Sequence, residues 1–182
     1  MAKKGSESPI LLGDSILKRL FAEYPSLFSP LSGKFCVSGQ RTADLYALVR
    51  GSREELKGRP VILLIGTNDV LSKFPVDKFR VLYRSIVRYL RRLNCVITLC
   101  ELLPLPKLGS EELEDGPVES INKFIRSFET SGIRLIHSHS VFVDCGSIKE
   151  QLFCQYLGRS RRVDLVHPNK EGLCCLLLTL EV

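Results

Sequence analysis

Short apolar runs alternate along the whole chain with segments whose apolar residues recur every three or four positions. Runs at 8–13 (SPILLG), 34–38 (KFCVS), 60–65 (PVILLI), 95–100 (CVITLC) and 133–143 (IRLIHSHSVFV) predict five strands. Helices are predicted over 15–23, 42–56, 76–93, 117–130, 147–157 and 169–180. That order produces a mainly parallel sheet with helices on both faces, because parallel strands need crossovers and those crossovers cover the sheet. The expected class is therefore α/β, in three layers, with a central five-stranded sheet.

The 117–130 segment shows the reasoning. Pro117 suits a first helical position, Ile121, Phe124, Ile125 and Phe128 keep helical spacing, and Gly132 ends the run. Between it and the fourth strand, 104–116 (PLPKLGSEELEDG) is rich in Pro, Gly and acidic residues and reads as a surface excursion. From Asp77 to Leu93, Arg80, Arg84, Arg88 and Arg92 recur every fourth residue and form one stripe, with Phe79, Leu82, Tyr83, Ile86, Leu90 and Leu93 on the other side. Such a stripe is either a solvated outer face or an anion-binding one.

A length of 182 residues with 45% hydrophobic content suits one domain, taken as 8–182 behind a flexible segment at 1–7. No stretch approaches the roughly 18 uninterrupted apolar residues of a membrane span, and MAKKGSESPI has no apolar signal core behind its charges. An intracellular protein, cytoplasmic or nuclear, is expected. The seven cysteines form no CxxC pair, so reduced and mostly buried thiols are expected, with Cys174 and Cys175 in the apolar last helix. An excess of 26 Lys and Arg over 20 Asp and Glu, net +6, favours anionic partners. GRSRR sets Arg159, Arg161 and Arg162 just before Asp164.

Candidate chemistry lies where predicted strands end. Ser15, in Gly13-Asp14-Ser15, would stand at the start of a helix, where free N–H groups favour developing negative charge; it reads equally as a helix cap, a task Asp14 could share. Gly39 follows the second strand and can bring a backbone N–H close to a ligand, or simply end the strand. Asn68, in Gly66-Thr67-Asn68-Asp69, could donate to an oxyanion or occupy a turn. Asp164 and His167 are three residues apart in VDLVHPNKEG, close enough for the carboxylate to orient the imidazole, and Pro168 stops a helix from running through them. His137 and His139 would share a strand face, but no third ligand has suitable spacing and no metal is expected.

In this order and spacing, GDS, Gly39, GTND and DLVH resemble the blocks of the SGNH hydrolase superfamily, the GDSL-type esterases and lipases. The resemblance spans nearly the whole chain and implies a flavodoxin-like three-layer fold. It further implies that Ser15 attacks an acyl ester, His167 takes its proton and Asp164 orients His167. The Ser15 and Gly39 N–H groups and the Asn68 side chain would form the oxyanion hole. No cofactor is implied. Small esters suit a chain without a long lid insertion, and the basic residues would suit an anionic substrate. Some members of the superfamily keep the fold and lose the catalytic set. The SGNH-like domain of the germ-plasm protein Oskar looks like one and is associated with RNA binding. A catalytically silent module that binds RNA, a protein or another anionic partner is therefore the alternative to an ester hydrolase, although no RNA-binding motif is present.

Overall fold

The structure, a computed structural model, describes residues 7–109, 113, 115–129, 133–156 and 163–181. Residues 1–6 of the expected N-terminal segment, and Arg159, Arg161 and Arg162, lie outside them.

Strand β1 (Ile10–Gly13) leads into α1 (Ser15–Glu23), and a short turn α2 (Ser32–Phe35) precedes α3 (Thr42–Gly51) and α4 (Arg53–Leu56). Then come β2 (Pro60–Leu64), α5 (Thr67–Leu71), α6 (Val76–Arg92), β3 (Val96–Cys100), α7 (Pro117–Arg126) and β4 (Arg134–Ile136). The chain continues through α8 (Ser138–Val141), β5 (Val143–Asp144), β6 (Ser147–Ile148) and α9 (Lys170–Leu180). The main sheet is parallel, in the order β1-β2-β3-β4.

Period-two alternation divides each strand between two cores. Ile10, Leu12, Val61, Leu63 and Leu99 face one side, with Leu45 and Val49 of α3, Phe79, Tyr83 and Leu90 of α6, and Ile121 and Ile125 of α7. Leu11, Ile62, Leu64, Cys100 and Ile136 face the other, with Ile16, Leu17 and Leu20 of α1 and Leu173, Leu176 and Leu180 of α9. Each such fully buried aliphatic side chain contributes about 1.5–3 kcal/mol relative to exposure. The α/β, three-layer architecture expected from the sequence is thus present.

Among the described residues the main sheet has four strands rather than five. Ser32 to Phe35 of the expected second strand coil into a helical turn, because the buried Ser32 hydroxyl accepts from the Leu11 N–H at 3.0 Å and so takes a donor that a neighbouring strand would use. Cys36 keeps a single parallel bridge to Gly13.

The expected strand 133–143 also breaks. Ser138 Oγ donates to the Glu101 carbonyl at 2.7 Å and turns the chain into α8, so His137 and His139 do not alternate on a strand. In place of the helix expected over 147–157, of which residue 157 lies outside the described residues, stand strand β6 of the hairpin β5–β6, a single 3-10 turn at Glu150–Leu152 and an extended segment. The hairpin turn places Cys145 (φ 46°) and Gly146 (φ 76°) in the left-handed region, as a two-residue turn between twisted strands requires.

Two cysteines, Cys36 and Cys100, are buried; Cys145 and Cys174 are exposed and the other three lie between, so the thiols are less buried than expected. No helix among the described residues is long and apolar enough to cross a membrane.

Candidate active site

At the C-terminal end of β1, Gly13 packs so closely that a Cβ there would lie 2.2 Å from the Leu64 carbonyl oxygen. The chain then turns at Asp14, which is fully buried and caps α1: its Oδ1 accepts the Ile16 N–H at 2.9 Å. Burial pushes the Asp14 carboxyl up to about 6, against the pull of the Ile16 N–H. With the cap supplied by Asp14, Ser15 is the first residue of α1 and its hydroxyl is not used by the helix.

Ser15 Oγ lies 2.8 Å from His167 Nε2. On the other side of the ring, His167 Nδ1 lies 2.7 and 3.0 Å from the two Asp164 carboxylate oxygens. A carboxylate only accepts, so Nδ1 carries the proton and Nε2 accepts from the Ser15 hydroxyl. Asp164 is buried, and its Oδ1 also accepts the Val166 and His167 N–H groups at 3.3 Å each. Arg19 approaches its Oδ2 at 3.6 Å. Leu165 between them adopts φ 46°, a left-handed conformation that costs a branched residue roughly 1 kcal/mol and folds Asp164 back toward His167.

An antiparallel clasp holds this loop in place. Cys154 N–H donates to the His167 carbonyl at 2.8 Å, Leu165 N–H to the Cys154 carbonyl at 2.9 Å, and Asp164 N–H to the Gln155 carbonyl at 3.0 Å. Asn169 then starts α9, accepting the Gly172 N–H at 3.0 Å.

Two further loops close the site. Gly39 adopts φ 77° and has no atom within 4 Å of where a Cβ would stand, so its backbone is open to the cleft. At the end of β2, Gly66 (φ 135°) is crowded by Phe79 and Leu102, and Asn68 follows in the first turn of α5. One Asn68 amide hydrogen goes to the Gln40 carbonyl at 3.0 Å, which leaves the second for the cleft. Next to it, Asp69 accepts both the Thr42 N–H and the Thr42 hydroxyl. A cavity of about 610 Å³ opens over Ser15, Gly39, Asn68 and His167. The sequence-derived Ser15, Gly39, Asn68, Asp164 and His167 thus meet at one place, where donors and a hydroxyl–imidazole–carboxylate chain surround a common space. Such a set can deliver a deprotonated oxygen to a carbonyl and receive the negative charge that results.

The arginine stripe divides. Arg80 bonds to Ser120 Oγ at 3.2 Å and pairs with Asp77, while Arg84 stacks over Phe124 at 4.9 Å, so both are engaged in the α6–α7 contact. Arg88 and Arg92 instead line a small concavity of about 190 Å³ with Tyr46, Ser85 and Tyr89. His137 and His139 stand apart from the cleft lining; His137 Nδ1 lies 3.2 Å from the buried Glu101, and burial lowers the His139 imidazole. The excursion after β3 begins buried, with Leu105 and Pro106 covered and the Lys107 N–H donating to the Leu165 carbonyl at 3.2 Å.

Sequence reasoning did not single out Lys18, Arg19 or Lys107 at this site, nor the tethering role of Asp69; the capping task it offered Asp14 is the one Asp14 performs. The i+3 spacing of Lys18 from Ser15 was a usable signal, because α1 brings such residues to one face.

The sequence profile of the GDSL-like lipase/acylhydrolase family matches residues 11–173. No curated protein sequence gives a match. Among solved structures, the OSK domain of Drosophila Oskar is similar at TM-score 0.72 and 20% identity, covering 100% of this chain and 92% of that one. A GDSL-like lipase from Bacteroides thetaiotaomicron gives 0.75 and 18%, covering 99% and 88%. A psychrotrophic esterase, EstA from Pseudoalteromonas, solved inhibited by monoethylphosphonate, gives 0.65 and 18%, covering 96% and 95%.

Proposed function

The chain belongs to the GDSL-like lipase/acylhydrolase family, and on that premise we propose that it is a serine-type hydrolase of small carboxylic esters. The observation that carries this reading is the unbroken Ser15–His167–Asp164 chain, at 2.8 and 2.7 Å, in the floor of an open cavity.

Ser15 Oγ attacks the ester carbonyl as His167 Nε2 takes its proton, and the imidazolium is stabilised by Asp164, which stays ionised. The negative charge on the carbonyl oxygen is met by the Ser15 N–H, which has no intrahelical acceptor in the first turn of α1, by the Gly39 N–H and by the Asn68 amide. His167 then returns the proton to the leaving alcohol, and an acyl group remains on Ser15. Water, deprotonated by the same Nε2, cleaves that acyl-enzyme and restores the serine. Each proton passes through one atom, so no metal or organic cofactor is needed.

Intact mass measurement after treatment with a fluorophosphonate, combined with turnover of 4-nitrophenyl acetate, tests the reading. The expected result is a single adduct on Ser15 that abolishes turnover. An unmodified Ser15 together with no turnover would overturn it.

A second reading, a module that binds RNA or another anionic partner, is favoured by the concavity at the end of α6. Arg88 and Arg92 flank Tyr46 and Tyr89 there, and Arg50 lies over the Tyr46 ring at 5.8 Å. Guanidinium groups beside aromatic faces suit phosphates and stacked bases. Binding of a generic single-stranded RNA that weakens with salt and is reduced by Arg88→Ala and Arg92→Ala would support it; no binding at low salt would remove it.

A further inference from the structure

The cavity over Ser15 carries two ammonium groups, Lys18 and Lys107, that no carboxylate among the described residues neutralises. Lys18 lies one turn along α1 from Ser15, and Lys107 reaches the cavity from the turn after β3, which is bonded to the Asp164–His167 loop through the Leu165 carbonyl. Neither lysine forms an ion pair with a carboxylate among the described residues. Of the described residues lining the cavity, the only acid is Asp164, and it is already committed to His167 and Arg19. Ala22, Leu71, Val163 and Val166 give the same cavity apolar wall.

Positive charges beside low-dielectric walls concentrate anions and hold them once they arrive. Both lysines are exposed and neither belongs to the Ser15–His167–Asp164 hydrogen-bond chain, so they would act on a part of the substrate that does not react. They would discriminate between esters without altering the proton path. We propose, resting on the hydrolase reading above, that the preferred substrates are esters carrying an anionic group a short distance from the scissile carbonyl, and that Lys18 and Lys107 are the specificity-determining residues that bind it.

The test compares two matched pairs of chromogenic esters. In one, 4-nitrophenyl hydrogen adipate is set against 4-nitrophenyl hexanoate, which places the charge in the acyl part. In the other, 4-acetoxy-3-nitrobenzoate is set against its carboxamide, which places it in the leaving group. The expected result is that the anionic member of at least one pair has a kcat/KM about tenfold or more above its neutral partner, with a ratio that falls as salt is raised. Lys18→Gln combined with Lys107→Gln should bring that ratio close to one. Lys57→Gln, at the far end of the sheet, should leave it standing. A ratio near one in the unmodified protein, or a ratio that survives the double substitution, would overturn the inference while leaving the hydrolase reading intact. Failure to turn over any of the four esters, with no fluorophosphonate adduct, would overturn both.

Discussion

Asp69 holds Thr42 by two hydrogen bonds, one from the amide N–H at 3.0 Å and one from the hydroxyl at 2.9 Å, both to the same carboxylate oxygen and both buried. Its neighbour Asn68 binds the Gln40 carbonyl, so consecutive residues at the end of β2 grip both flanks of Arg41 just beyond Gly39. Two loops that are distant in sequence thereby become one rigid wall of the cavity.

Replacing Asp69 with alanine should release that wall. The loss of two buried hydrogen bonds to a carboxylate is expected to cost about 2–4 kcal/mol in urea unfolding. Fluorophosphonate labelling of Ser15 should slow as the Gly39 backbone loosens. A variant with unchanged midpoint and unchanged labelling would contradict the tether.

Ser15→Ala and His167→Ala should each reduce kcat on 4-nitrophenyl acetate by about ten-thousand-fold or more, whereas Asp164→Ala should leave more residual activity. The order follows from the proposed mechanism, in which Ser15 and His167 handle the bond and the proton and Asp164 acts through the ring it orients. Equal and mild losses at all three positions would be wrong for this mechanism.

The buried Asp14 makes stability pH-dependent. Its carboxyl is pushed from the ordinary 3.8 up to about 6 by burial, so between those values the folded chain retains a proton that the unfolded chain has released. Stability therefore falls as pH rises through that window, by about 3 kcal/mol from this group. Burial raises the Asp69 carboxyl in the same sense. Asp14→Asn keeps an oxygen to cap α1 and removes the charge, so its Tm should gain on the unmodified protein as pH rises from 4 toward 7. A constant difference between the two across that range would rule this origin out.

Two glycines should respond differently to alanine. At Gly13 the new methyl meets the Leu64 carbonyl oxygen, a backbone atom fixed by the sheet, and the protein should lose its fold or unfold several degrees earlier. At Gly39 there is open space and the cost is only that of φ 77°, about 1 kcal/mol. Thermal melts of Gly13→Ala and Gly39→Ala separate steric exclusion from backbone preference.

The parts of the fold that could be read from the sequence are those set by local pattern. Apolar runs that stop at Gly13 and Gly66 mark where β1 and β2 end, and the residues just beyond, Ser15 and Asn68, fall at the cavity for that reason. The paired spacing of Asp164 and His167 also shows directly. What could not be read depends on distant partners. Ser32 coils its segment because its hydroxyl finds Leu11, 21 residues away, and the KFCVS pattern does not encode that meeting. Residues 153–156 are extended because they pair with 163–168, although Ile148, Leu152, Phe153 and Tyr156 have helical spacing.

The separation of duties between Asp14 and Ser15 has a further consequence. The start of α1 is secured by the aspartate alone, so a chain with alanine at position 15 would keep its helix cap and lose only the hydrogen bond to His167. Loss of the hydroxyl would cost about 1 kcal/mol, the net contribution of one such bond. A scaffold built in this way can shed its chemistry in a single step and persist as a docking surface. Capping of α1 therefore does not account for the serine at position 15.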